Sequence, residues 1–507
     1  MPDPARPGQS APPARHGASR LRRLVERDMA TLEPGTRRAW WLREALEHDH
    51  GSPCPPPAAD GTTDIVVVGG GFTGLWTAWS LLERDPSIGI TIVERDIVGG
   101  GASGRNGGFV TGWWDALPAL IGSFGEDAGL AAAKAAEVAP ARIGEWARAH
   151  GVDPWFVPGG MLVVSTSPAQ DGAGDGFLEV AESLGIADRF RVLSPAEVQA
   201  ACASPAFRGG MLVPSDASIQ PARLARGLRR VLLERGVTIH EDTAVRRIRA
   251  DGAGVRAELE GGLAIRARRA VLGLNAWAAG WPGSGFGQRL ITWSSYIVLT
   301  EPIPDRLAEL GWTGGEAITD LRFTNHYFRT TRDGRIAFGG GGGRAGYGGR
   351  MDAGWMERDR GSVANAARGF RRIFPMLDDV ALVDAWGGPI DIAPNHLPSF
   401  GSVPGTEGRV LYGHGYSGTG VGPSWLGGRI LAALATGALD DPDARLAVVG
   451  HRARRFPPEP FRFLGARVIR EAIVAAEERD DVGGYVPPPL RWLIRVPRAM
   501  GYDLGPQ

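Results

Sequence analysis

The stretch "DIVVVGGGFTGLWTAWSLLERDPSIGITIVERD", Asp64 to Asp96, constrains the chain more than any other. Ile65 to Leu82 carries no charge and approaches the length of a bilayer span. Three consecutive glycines, Gly69 to Gly71, argue against a spanning helix, because glycine is poor in helix interiors. Ile65 to Val68 is a β-branched run suited to a strand buried on both faces. Leu75, Ala78, Trp79 and Leu82 recur at helical spacing. Ile90 to Val93 forms a second apolar run that ends at Glu94. The stretch therefore reads as a βαβ unit with Gly69, Gly71 and Gly74 in G-x-G-x-x-G register.

Each residue type has a physical role in such a unit. Gly69 allows the tight turn, Gly71 lets backbone approach a pyrophosphate, and Gly74 lets helix and strand pack closely. Phosphates sit at the helix start, beside Phe72 and Thr73, where free N–H groups and the dipole favour anions. Glu94, with Arg95 next to it, ends the second strand and is placed to accept hydrogen bonds from a ribose. Glycines, strand, helix and terminal acid together point to a dinucleotide site.

Composition narrows the setting. The chain has 507 residues, 43% hydrophobic and 22% charged, with 56 basic and 56 acidic side chains. That suits a globular protein of more than one core and favours neither nucleic acid nor an anionic surface as partner. Two cysteines without CxxC spacing argue against a disulfide framework and for a reducing, cytoplasmic setting. No transmembrane segment, metal motif, hydrolase elbow or P-loop is read. Residues 1–59 read as a disordered Pro/Ala/Arg-rich arm, a short amphipathic helix at Trp40 to Leu46 and a linker.

Further motifs follow: "GASGRNGG", "PSDASIQPARLARGLRRVLLERGVTIHEDTAVRRI", "YFRTTRDGRIAFGG" and "GHGYSGTGVGPSWLGGRILAALATG". With "VVVGGGFTGL", in one collinear order, they resemble the FAD-dependent amine and amino-acid oxidoreductases of the D-amino-acid oxidase family, the γ-glutamylputrescine oxidoreductase and aminophosphonate oxidoreductase type in particular. The resemblance implies an α/β fold: an FAD-binding Rossmann-like domain (60–112, 209–275 and 380–437) interleaved with an α+β substrate domain (113–208 and 276–379) containing a large mixed sheet. A helical C-terminal extension, 438–507, follows.

It also implies site residues. Ala102, Ser103, Arg105, Asn106, Gly107 and Gly108 would line the pyrophosphate and flavin, with Ser103 and Asn106 as donors. Val245 would hold the adenine through its backbone. Gly418, Thr419 and Gly420, before a helix starting near Pro423, would face the flavin. FAD would be bound non-covalently. Tyr327 and Arg329 share a strand face and would hold the substrate, Arg329 by pairing with an acidic group. His396 and His414 are candidate bases, and His326 lies on the opposite face. The implied reaction oxidises the C–N bond of a small amine, amino acid or aminophosphonate to an imine by hydride transfer to flavin. The electrons would pass to oxygen or another acceptor. Lys134, the only lysine, reads as an exposed helix residue rather than an oxygen-activating one. A flavin-dependent hydroxylase or reductase, or a flavin-binding subunit without its own turnover, are the alternatives.

Overall fold

The computed structural model describes residues 14–32, 38–49, 51–252, 254–351, 359–451, 454–481 and 483–502. Two eight-stranded sheets dominate it. In the first, the opening strand Gly61–Val68 lies between Ala264–Leu272 and Ile90–Val93, parallel to both. Thr238–His240 extends one side and Val410–His414 the other, again in parallel. Val66 and Val67 are fully buried, as a β-branched strand covered on both faces requires. The helix Phe72–Arg84 packs on this sheet beside the helix Pro423–Thr436.

The second sheet runs in the order 382–392, 291–300, 336–340, 326–330, 317–320, 161–165, 209–213, 191–193. Its neighbours are antiparallel except Met161–Ser165 with Ala317–Asp320, so it is mixed, as the resemblance implied. One face presents Leu162, Val164, Val298, Phe328 and Phe338 to the helix Arg360–Ile373, forming a core with Val363, Ala367 and Phe370.

Two segment boundaries differ from the expectation. Gly209–Val213 and Leu382–Ile392, placed with the flavin domain, are strands of the second sheet. The chain changes sheets just after each of them. An apolar strand pattern gives no sign of which sheet the strand will join.

The N-terminal arm also departs from expectation. Residues 1–13 lie outside the described residues, but Ala14–Thr31 is a helix. Asp28, 2% exposed, takes two hydrogen bonds from the buried Arg371, each 2.9 Å. This bidentate pair anchors the helix on the same face as Val25 and Leu32, which are buried, and Met29, which packs against the second sheet's core. Trp40–Glu47 is helical as predicted, with Trp41 fully buried.

Candidate active site

A cavity of about 1700 Å³ lies where the first sheet's strands end and the second sheet's inner face begins. Its dinucleotide side is the glycine turn. Gly69 has φ +108°, and a Cβ at Gly74 would run into the Gly69 carbonyl oxygen. Both glycines are thus demanded by geometry. A Cβ on Gly71 would stand 3.0 Å from Ser103 Oγ. Glu94 Oε2 accepts from Gly70 N–H at 2.7 Å, and Oε1 accepts from Asp96 N–H at 2.9 Å. Each oxygen keeps a further lone pair for a ribose hydroxyl. Burial pushes the Glu94 carboxyl above the ordinary glutamate range, against the pull of those two N–H groups.

The loop after the second strand is braced by its own side chains. Ser103 Oγ accepts from Phe72 N–H at 2.9 Å, so it caps the helix start and keeps its own hydrogen to donate. Asn106 Nδ2 donates to the Ala102 and Ser103 carbonyls, and its Oδ1 accepts from Gly108 N–H. The Asn106 amide therefore holds loop shape, where the resemblance had implied a donor to the cofactor. Arg105, buried, donates to the Gly100 and Gly387 carbonyls. Arg95 lies over the Trp277 ring at 5.1 Å, and both line the cavity.

Of the residues singled out in the sequence, Gly69, Gly71, Phe72, Thr73, Glu94, Arg95, Ala102, Ser103, Arg105, Asn106 and Gly107 line this cavity together. So do Val245, Gly418, Thr419, Gly420, Tyr327 and His396. Gly74 and Gly108 stand behind the lining and shape its backbone.

The substrate side is the inner face of the second sheet. Met161 pairs with Val213 and Val163 with Met211 across adjacent strands, and Thr319 lies opposite Tyr327. All six line the cavity. Tyr327 is held between glycines: a Cβ at Gly107 would lie 2.9 Å from its ring, and one at Gly339 would enter it. Its hydroxyl is 2.7 Å from Ser295 Oγ. Burial raises the phenol to about 12, so it stays protonated at neutral pH. Helix Phe461–Asp480 and helix Pro488–Ala499 of the C-terminal extension close the chamber with Ile469, Ile473 and Val496.

Arg329 is not brought to the cavity. It is 2% exposed, donates to the Ile219 and Thr330 carbonyls, and lies 5.5 Å from the Trp41 ring centre. It shares a face with Tyr327 as the alternation predicted, but Gly108 and the N-terminal Trp41 cover its end of the strand. Burial lowers its guanidinium pKa. His414 also lies outside the lining, fully enclosed by Phe286 and Tyr412. Neither ring nitrogen has a hydrogen-bond partner, and burial depresses its pKa to about 3. His396 does line the chamber, with a left-handed backbone at φ 54°. His326 points away and pairs with Asp320 at 2.7 Å. Lys134 is exposed on the helix Glu126–Glu137.

Three further acids of the lining escaped the sequence reading and matter to its chemistry, beside the buried Asp320 that pairs with His326. Asp391 accepts from Gly415 N–H at 2.5 Å and from Asn275 Nδ2 at 3.2 Å, fixing the loop that carries Gly418 to Gly420. Burial raises its carboxyl to about 7. The other two are Asp115 and Asp216. Their only sequence signal was acidity inside otherwise apolar or small-residue runs, "TGWWDALPAL" and "VPSDASI".

The residues present fit FAD. Two helix starts, at Gly71–Phe72 and Gly422–Pro423, open on one chamber, and Glu94 stands where a ribose would lie. The volume exceeds the ~300–1,000 Å³ of an ordinary ligand site. The comparisons agree. The family model described as FAD dependent oxidoreductase (DAO) matches residues 64–434, and the chain belongs to that family. It is a flavoprotein oxidoreductase whose cofactor is FAD. It is 27% identical over 419 residues to the gamma-glutamylputrescine oxidoreductase of Escherichia coli, covering 82% of this chain and 91% of that one. It is 25% identical over 398 residues to the probable oxidoreductase OrdL of Haemophilus influenzae, covering 78% and 86%. Among solved structures, glycine oxidase from Geobacillus kaustophilus shares the fold, with TM-score 0.60 and 22% identity over 74% of this chain and 95% of that one.

Proposed function

We propose that the protein oxidises the C–N bond of a small amine or amino acid to an imine, which water then hydrolyses. The observation that carries the reading is the single chamber running from the glycine turn to the inner face of the second sheet. A substrate on that sheet shares an enclosed space with the cofactor. FAD supplies the two-electron acceptor for the C–H bond beside nitrogen.

The chain's residues bind, orient and exclude water. Met161, Val163, Met211, Val213 and Trp293 give an apolar wall. Such a wall disfavours the charged ammonium and favours the neutral amine that the chemistry requires. Tyr327 and Ser295 present one hydroxyl pair as a donor and acceptor. Because Tyr327 stays protonated, it orients the substrate rather than removing a proton. With Arg329 packed elsewhere, an acidic substrate group has no partner there, so the aminophosphonate option loses its sequence support. The cofactor is read as non-covalent because the segment around Gly387 and Gly388 holds no cysteine and the loop after the second strand holds no histidine; acid precipitation should then release all the flavin.

The test is product analysis. Holoprotein incubated with a panel of amines and amino acids, in air and with an added artificial electron acceptor, should release a carbonyl compound and ammonia or a smaller amine. A panel that yields none, from protein carrying stoichiometric FAD, would overturn the reading. A flavin reduced only by a nicotinamide would favour the hydroxylase or reductase class instead.

A further inference from the structure

One wall of the cavity carries two carboxylates that no cation among the described residues is seen to neutralise. Asp115 precedes the helix Leu117–Phe124, and Asp216 lies between the strands Gly209–Val213 and Ala217–Ser218. Both line the chamber. Asp216 is 3% exposed, and the hydrogen bond found for its side chain is a long one, 3.4 Å from Gly112 N–H. Asp115 Oδ1 is buried and accepts no hydrogen bond. Asp216 feels burial first and then the like charges of Asp115 and Glu137, all of which disfavour its ionised form. Arg189, close by over the Trp114 ring at 5.2 Å, is already paired with Glu137.

Buried carboxylates in this state either hold a proton or draw in a positive partner, and a cation arriving between them favours their charged form. No group of three or more metal-ligating side chains occurs among the described residues, so the donor set does not suit a metal ion. The surroundings suit an organic cation. Trp114 and Phe177 both meet Phe190 edge-on, at 6.0 and 4.9 Å, and all three rings line the chamber. Aromatic faces beside paired carboxylates attract ammonium groups.

We propose that Asp115 and Asp216 hold a second ammonium group of the substrate, remote from the nitrogen beside the oxidised carbon. The substrate class is then a diamine or a longer polyamine. This rests on the amine reading above, and it replaces the acidic substrate group that the sequence associated with Arg329. One end of the substrate is anchored as a cation at the acidic wall. The other end, against the apolar sheet face, loses its proton and reacts.

The experiment compares matched probes on the full-length holoprotein. Anaerobic calorimetric titration, with the flavin reduced beforehand by dithionite so that binding is read without turnover, would use the diamines from 1,3-diaminopropane to 1,6-diaminohexane, the n-alkylamines of the same lengths, and 4-aminobutanoate. The best diamine should bind at least about tenfold more tightly than its monoamine, and 4-aminobutanoate more weakly than either. Asp115→Asn and Asp216→Asn should each shrink the diamine-to-monoamine ratio towards one. An unchanged FAD-to-protein ratio would show that the variants fold. A ratio at or below one in the native protein, or one that survives both substitutions, overturns the proposal. Product formation from the n-alkylamines tests the amine reading separately. If diamines bind through both aspartates and no amine is oxidised, the cation site stands and the amine reading falls.

Discussion

Glu94 and Arg329 show how differently a charged residue can behave in one chamber. Glu94 holds Gly70 and Asp96 through their N–H groups and still faces the cavity. Glu94→Ala should weaken FAD binding by about 1–3 kcal/mol, the scale for losing a charged hydrogen-bond partner. Equilibrium dialysis of FAD against the variant measures it, and an unchanged affinity would remove Glu94 from the site. Arg329 serves packing instead. Arg329→Met should cost about 1–3 kcal/mol of stability by orphaning the Ile219 and Thr330 carbonyls. The KM for substrate should stay put. A raised KM with an unchanged melting temperature would return Arg329 to substrate binding.

At the scale of elements, the strand Val410–His414 carries a pH signature. Burial, and then the charge of Arg289, hold His414 down to about 3. The unfolded chain therefore takes up a proton near pH 6.5 that the folded chain refuses until about pH 3. This contribution is complete above the unfolded pKa and is lost as pH falls, by at most about 1.4 kcal/mol per pH unit. His414→Phe should flatten the acid-side loss of stability in denaturant titrations between pH 6.5 and 4. A variant whose slope matches the native protein would contradict a neutral, enclosed His414.

The βαβ element was legible in the sequence because its determinants are local. Turn glycines, β-branched strand and terminal Glu94 lie within one short stretch. Tyr327 facing the chamber also follows from strand alternation. What alternation cannot show is what covers each end of a strand, and here Trp41 arrives from the N-terminal helix to cover Arg329. Asp115 and Asp216 were illegible for a related reason: far apart in sequence, they line one chamber near the place where Phe109–Val110 pairs with Ala217–Ser218. The helix Ala14–Thr31 was missed although Leu21, Leu24, Val25 and Met29 recur at helical spacing, because the Pro/Ala/Arg-rich run before it masked that short period; Asp28, on the same inward face, adds a tertiary anchor through Arg371.

Across the whole molecule, the chamber is closed by a segment outside the matched family region. Helix Phe461–Asp480 turns Ile469 and Ile473 inward and leaves Leu464 and Val468 exposed, so its apolar residues are split between two surroundings. It is fixed to the second sheet by Arg322, whose side chain is 7% exposed and which pairs with Glu477 at 3.3 Å and with Asp481. Breaking a buried pair from one side leaves an uncompensated charge and costs about 3–5 kcal/mol. Replacing both acids, Glu477→Gln with Asp481→Asn, should lower hydrogen-exchange protection throughout this helix while the strands of the first sheet keep theirs. Unaltered protection would mean that the helix is held by something else.

Under the proposed function an amine, held on the second sheet, shares a closed chamber with FAD and reduces it. Anaerobic titration of the holoprotein with amines, followed through the oxidised-flavin absorption band, tests it most directly. Amines should bleach the band, diamines at the lowest concentrations, without any nicotinamide present. A flavin spectrum that no amine changes, in protein carrying its full complement of FAD, would contradict it.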